Sequence, residues 1–227
     1  MRNPRHVFAA LLLALAGLIL QSCEGSPQTP SLPDVRGRIY FAPLGEFPAV
    51  MLHELVAHYK DKFGVTIETL PRMAIDDSAV NHDRNQLIAE RLVVLMSRHH
   101  AGPATDPDAV IIGLTQEDMY IRGFDWRFAF GYRETRIGVI STARMDPVEF
   151  PRREPLYLVL IKALLEHIGI PPEDVADREI LLTRLRKMVT RYIGFMHYRL
   201  PKSSSRKSVL YESILGVDDL DSIGEEY

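Results

Sequence analysis

Residues 109–114 read AVIIGL, followed by Thr115-Gln116-Glu117-Asp118-Met119-Tyr120. An apolar run without polar interruption predicts a strand buried on both faces, because a half-buried strand alternates. Such a strand needs helices on both sides, and the upstream residues supply them. Arg38 to Leu44 (RIYFAPL) predicts a first strand ended by Gly45. Phe47 to Phe63 places Met51, Leu55, Tyr59 and Phe63 on one helical face, with Gly64 as its stop. Val65 to Leu70 (VTIETL) predicts a second strand ended by Pro71. Residues 72–81 are polar and turn-like. Asp83 to Arg98 reads as a helix, with Leu87, Arg91, Val94 and Leu95 at helical spacing, and Ala101 to Pro107 as a loop. This order of strand, helix, strand, helix, strand predicts an α/β sheet with parallel crossovers.

The pattern changes downstream. Trp126 to Phe130 alternates (WRFAF), and Ile137 to Ser141 (IGVIS) is a further strand. The polar turn Tyr132 to Arg136 between them predicts antiparallel strands at one edge of the sheet. The C-terminal third is helical: Leu156 to Ile168, then Asp177 to Tyr198. Asp177 reads as the N-cap of the second helix, whose core face carries Leu181, Leu185, Met188, Tyr192 and Ile193. No internal repeat is present.

The N-terminus predicts a location. Arg2 and Arg5 precede an apolar run from Val7 to Leu20, broken only by Gly17, and then Leu20-Gln21-Ser22-Cys23. A basic start, an apolar stretch too short to span a bilayer comfortably and a small residue at the break make a secretory signal over residues 1–22. With cysteine next, the segment resembles a bacterial lipobox, in which Cys23 is acylated and tethers the mature protein to a membrane. Glu24 at the following position, rather than aspartate, favours the outer membrane, on the periplasmic side in a Gram-negative cell. Residues 23–35 form the lipidated cysteine and a Pro- and Ser-rich tether, and residues 36–227 a single domain.

Composition excludes several classes. The 227 residues carry a net charge of −3 with 27 basic and 30 acidic residues. Residues 1–22 remove two of the basic residues and none of the acidic ones, and no basic stripe stands out, so nucleic acid is excluded as a partner. Cys23 is the single cysteine. Once acylated it leaves no thiol for a disulfide, a zinc–thiolate site or a nucleophile. No apolar run after Cys23 is long enough to span a membrane.

Several histidines need weighing. His53-Glu54-Leu55-Val56-Ala57-His58 approaches the HExxH zinc helix but fails on spacing. That motif needs histidines at i and i+4, about 40° apart around the helix. At i and i+5 they diverge by about 140°, and Ala57 takes the ligand position. His82-Asp83 and His99-His100 fall at the two ends of the predicted 83–98 helix, where the dipole favours His at the C-terminus. Glu166-His167 closes a helix before Gly169.

The segment from Gly113 to Tyr120, with the aromatic segment Trp126 to Gly131 and then Gly138-Val139-Ile140-Ser141-Thr142-Ala143-Arg144, resembles the archaemetzincins, a branch of the metzincin-type zinc peptidases. The shared pieces are a strand ending in G-x-T-x-x-D-x-Y, an aromatic F-G segment and a V-x-S-x-x-R segment. Tyr40 to Gly45 and Arg84-Asn85-Gln86 also fit, and the resemblance covers residues 37–145 and, less closely, the rest. It implies a metzincin-like mixed sheet, mainly parallel with an antiparallel edge strand, flanked by helices and completed by a helical C-terminal part.

The resemblance also implies where a zinc site would be. The family carries HExGHxxGxxH on a helix, with three histidine ligands and a glutamate that activates water. Over Lys187 to His197, Gly194 fits the motif's first glycine. Arg191 stands for the first histidine, Tyr192 for the glutamate and Phe195 for the second histidine; Tyr198 replaces the second glycine and Pro201 the third histidine. Ser208-Val209-Leu210-Tyr211 is similar to the Met-turn, with Leu210 for methionine, and the cysteines many members use for a second zinc are absent. A guanidinium cannot ligate zinc. The expected protein is therefore a tethered pseudoenzyme without a cofactor that binds a peptide or envelope protein, with Gly138 to Thr142 as the peptide-pairing edge strand. One rival is a hydrolase whose zinc site has moved to His53, His58, His167 and His197, with Glu54 or Glu166 as base. Another is a structural envelope protein. On the bland reading the helix is a core helix with a basic outer edge of Arg184, Lys187 and Arg191. If instead Arg191 is buried, it needs a partner, for which Asp218, Asp219, Asp221, Glu225 and Glu226 are candidates.

Overall fold

A computed structural model describes residues 32, 33, 35, 37–148 and 173–227. The helix expected over 156–168, Glu166, His167, Cys23 and the signal segment lie outside the described residues. Along the chain run β1 (Ile39–Pro43), α1 (Ala49–Phe63), β2 (Ile67–Thr69), β3 (Val80–Asn81), β4 (Gln86–Ile88), α2 (Ala89–His99), α3 (Ala101–Thr105), β5 (Val110–Thr115), β6 (Met119–Tyr120), β7 (Gly131–Arg133), β8 (Ile137–Ser141), α4 (Glu173–Met196) and α5 (Val217–Ser222).

The main sheet has the order β2-β1-β5-β8-β7. Neighbours pair parallel except β7 and β8, which form the antiparallel edge, so the sheet is mixed and mainly parallel. β1 and β5 are buried along their whole length, as their unbroken apolar runs require. Alternate residues feed two cores. Ile39, Phe41, Val110, Ile112 and Leu114 face Leu55 and Tyr59 of α1 and Leu185 and Val189 of α4. Tyr40, Ala42, Ile111 and Val139 face Leu92, Val93 and Met96 of α2. α1 ends at Gly64, whose φ of 63° lies in the left-handed region that glycine enters at no steric cost.

Besides the loop expected over Ala101 to Pro107, of which Ala101–Thr105 form the short helix α3, four local expectations change. The helix expected from Asp83 begins only at Ala89, because Gln86 to Ile88 pair with β3 and β6 in a second sheet of order β3-β4-β6. His82 therefore sits in a turn beside exposed Asp77, 3.0 Å away, and not at a helix end. Trp126 to Phe130 is not a strand: the carbonyls of Trp126 and Arg127 are taken by Arg84 and Gln86, and the extended pairing starts at Gly131. α4 starts at Glu173, four residues before the expected cap, so Asp177 lies within the helix.

The closing segment produces a further change. Arg184, Lys187 and Arg191 form no basic outer edge; they are buried, Arg184 completely. Residues 203–223 lie over that face of α4. Asp221 receives two charge-assisted hydrogen bonds from Arg184, at 2.8 and 2.7 Å. Lys187 donates to the carbonyls of Leu220 and Asp221, each at 3.0 Å.

A candidate peptide cleft built on an edge strand and helix α4

β7 is three residues long and, among the described residues, has no second sheet neighbour. Its pairing with β8 sets the direction of its backbone groups. Ser141 N–H donates to Phe130 O and Glu134 N–H to Ile137 O, which makes Tyr132 the hydrogen-bonded partner of Val139. Gly131 and Arg133 therefore point their N–H and C=O groups away from β8. Gly138 to Thr142 is not the exposed edge: β8 is held by β5 on one side and β7 on the other, and Thr142 N–H is taken by Thr115 O. The free edge belongs to β7.

A cleft of about 770 Å³ opens along this edge. Ile121 to Phe130 form one wall, Met188, Arg191, Tyr192 and Phe195 of α4 the floor, and Lys202, Glu212, Ile214 and Leu215 the far rim. The first wall is a loop, and three of the resembling motif pieces converge to hold it. The Asp118 carboxylate accepts from Gln86 Nε2 at 2.8 Å and from Arg144 Nη2 at 2.5 Å. Gln86 also donates to Arg127 O at 2.8 Å, and Arg84 to Trp126 O and Arg127 O at 3.2 and 3.0 Å. Ser141 Oγ donates to Glu117 O at 2.6 Å. In this chain those motif residues position the wall.

The three α4 positions at which the resemblance places two ligands and the base behave differently from one another. Arg191 is 9% exposed and donates through Nη1 to Val209 O, at 3.0 Å, and to Tyr211 O in the Met-turn-like segment. No carboxylate among the described residues pairs with it: Asp221 serves Arg184, Asp219 serves Arg206 and Glu226 serves Lys62. Burial lowers its pKa to about 10; Tyr192 opposes the drop and Arg133 adds to it. Tyr192 is buried, and burial raises its pKa well above the ordinary phenol range. Its ring lies so close to β7 and β8 that a Cβ on Gly131 would fall 2.3 Å from its hydroxyl, and one on Gly138 2.8 Å from its Cε2. Phe195 carries two guanidinium groups near its ring, Arg133 at 4.4 Å and Arg191 at 4.8 Å. Gly194 faces away from these, against Leu210 and Tyr227.

This donor set does not fit a zinc centre. Zinc takes thiolate, imidazole or carboxylate. The described lining supplies one carboxylate, Glu212, beside guanidiniums, an ammonium and two phenols whose pKa burial raises. Nor do the relocated candidates among the described residues converge. His53 is exposed on α1; His58 stands edge-on to Tyr59 at 5.2 Å; His197 is buried beside Tyr198 just past the end of α4. Burial lowers the pKa of both His58 and His197. Glu54 is ion-paired to Arg178. Among the described residues no group of three His, Cys, Asp or Glu is placed to hold a metal. Arg127, Arg133, Lys202 and Glu212 carried no signal in the sequence, because only the β7 register and the path of the closing segment bring them to one cleft.

Comparison with known proteins agrees with the fold. No family model matches the chain. It is 31% identical over 104 residues to an archaemetzincin of Haloquadratum walsbyi and 27% identical over 104 residues to one of Natronomonas pharaonis. Each match covers 46% of this chain, and the chain spans 57% of the length of each of these curated relatives. Three solved structures share the fold. The archaemetzincin of Archaeoglobus fulgidus complexed with malonate gives a TM-score of 0.58 at 20% identity, covering 84% of this chain and 94% of that one. The Methanopyrus kandleri archaemetzincin gives 0.58 at 20%, covering 87% and 92%. A zinc-dependent peptidase of Methanocorpusculum labreanum gives 0.59 at 14%, covering 83% and 95%. The described domain is archaemetzincin-like in fold.

Proposed function

We propose that this protein is a lipid-anchored, archaemetzincin-like domain that binds peptide or protein partners without hydrolysing them. The observation that carries the reading is the cleft itself. It keeps an edge strand whose Gly131 and Arg133 backbone groups face it, while Arg191, Tyr192 and Phe195 stand where the resemblance places two ligands and the base. An extended peptide pairing with β7 needs that backbone edge and no metal. Hydrolysis would need an activated water and a stabilised oxyanion. Arg191 is committed to two carbonyls, and Tyr192, kept protonated by burial, is a poor base.

The anchor is the second half of the proposal. The basic start, the apolar run and Leu20-Gln21-Ser22-Cys23 support acylation of Cys23, and Glu24 supports sorting to the outer membrane. No helix among the described residues is long and apolar enough to cross a membrane. Cys23→Ser should move the protein from the membrane to the soluble envelope fraction. The cleft is tested by incubating the purified chain with a random hexapeptide library and reading retained and cleaved peptides by mass spectrometry. Retention without cleavage is expected, as is its loss in Arg133→Pro, which removes an N–H that faces the cleft and not β8. Cleavage of the library would contradict the proposal.

A further inference from the structure

We propose that the cleft selects acidic peptides, seating a side-chain carboxylate between the guanidinium groups of Arg133 and Arg191 at the ring of Phe195. The proposal rests on the reading of this cleft as a peptide site. Its first ground is an unbalanced charge. A buried cation is normally offset by a paired anion. Arg184, two turns earlier on the same face of α4, has Asp221. Arg191 is 9% exposed and has only two carbonyl oxygens, both on Nη1, with no carboxylate among the described residues. Arg133, an exposed residue on β7, sits near the same ring and adds like charge.

The second ground is the balance of the whole cleft. Among the described residues, Arg127, Arg133, Arg191 and Lys202 line it against a single carboxylate, Glu212, in a chain whose net charge is −3. A local excess of cations in an acidic protein attracts anionic partners and repels basic ones. The third ground is the apolar rim. Phe124 and Trp126 stack at 4.5 Å and are each 51% exposed, and Leu215 across the cleft is 78% exposed. A ligand that satisfies both features is a peptide with a glutamate or aspartate near an aromatic residue. Guanidinium groups match a carboxylate by paired N–H···O bonds, which a neutral amide reproduces poorly.

The test uses the full chain in detergent and three peptides: Ac-Ala-Glu-Phe-Glu-Ala-amide, its double glutamine counterpart, and that counterpart with a free C-terminal carboxylate. Isothermal titration at low salt should show the glutamate peptide binding at least tenfold tighter than the glutamine amide, a preference that shrinks as salt is raised. Arg191→Met should reduce the preference to under threefold. Because that variant also frees the Val209 and Tyr211 carbonyls, Arg133→Gln, which touches neither, should reduce it as well. Equal affinity for the glutamate and glutamine amides would overturn the inference while leaving peptide binding intact. Tight binding of the free-carboxylate peptide alone would overturn the side-chain assignment. If no peptide binds but succinate saturably shifts the Arg191 Nε–H resonance in wild type and not in Arg133→Gln, the carboxylate seat stands and the peptide reading falls.

Discussion

Tyr192 fills the place where the resemblance puts a catalytic glutamate, and Gly131→Ala measures how tightly. A methyl group on Gly131 would lie 2.3 Å from the Tyr192 hydroxyl, 2.9 Å from Cζ and 3.1 Å from Val139 O. Tyr192 has little room to move, because its side chain is 4% exposed and packed within the core around α4. Overpacking of this kind costs about 1–3 kcal/mol. Replacing a strand glycine by alanine otherwise returns about 0.5–1 kcal/mol. The net expectation is a loss of about 1–2 kcal/mol, a drop of roughly 3–6 °C in Tm for a domain of this size. In a Tyr192→Ala background the obstructing atoms are gone, and Gly131→Ala should be neutral or stabilising by about 0.5 kcal/mol. Urea unfolding of the four proteins gives the coupling, expected at about 2 kcal/mol. If Gly131→Ala costs the same in both backgrounds, the ring does not occupy that space and the picture of a filled site is wrong.

Other outcomes follow from the same geometry. Asp221→Asn removes a carboxylate that takes two hydrogen bonds from the fully buried Arg184 and should cost about 3 kcal/mol in urea unfolding, the scale for a broken buried ion pair. Gln86→Ala removes one of the two hydrogen bonds to Arg127 O and one contact of Asp118; it should cost about 1–2 kcal/mol and speed proteolysis between Phe124 and Arg127, read by mass spectrometry of the fragments. Tyr59→Phe removes a hydroxyl bonded to Arg186 O and Thr190 Oγ1, both at 2.9 Å, and should cost about 1–2 kcal/mol. Burial lowers the pKa of His58, His100 and His197 below 6.5, so their neutral forms favour folding. The unfolded chain takes up protons first, so stability is full above 6.5 and falls as the pH drops through and below it; a rising urea midpoint on acidification would contradict this.

The parallel core was legible because its residues make unbroken apolar runs of strand length. Ile39 to Pro43 and Val110 to Thr115 admit few other places than the middle of a sheet covered on both faces. The second sheet was not legible: its strands are two or three residues long, and the tie of Gln86 to Asp118 and Arg127 overrides the helical spacing around it. The edge strand was read one strand too far along because the aromatic segment alternates like a strand yet spends its carbonyls on Arg84 and Gln86. At the candidate site, the residue types at 191, 192 and 195 could be read directly: arginine, tyrosine and phenylalanine. In the sequence Arg191 reads first as part of a basic outer edge, with burial as the alternative; it is buried under the closing segment, and its partners are the carbonyls of Val209 and Tyr211 rather than the acidic tail. The choice between carbonyl and carboxylate depends on where residues 209–221 cross α4, which no local pattern encodes.

The central claim is that the cleft holds no metal, and metal content tests it most directly. The protein without residues 1–23 is purified without chelators or a histidine tag, incubated with excess zinc, desalted and measured by mass spectrometry. The account predicts well under a tenth of a zinc per chain; a value near one zinc per chain would contradict it.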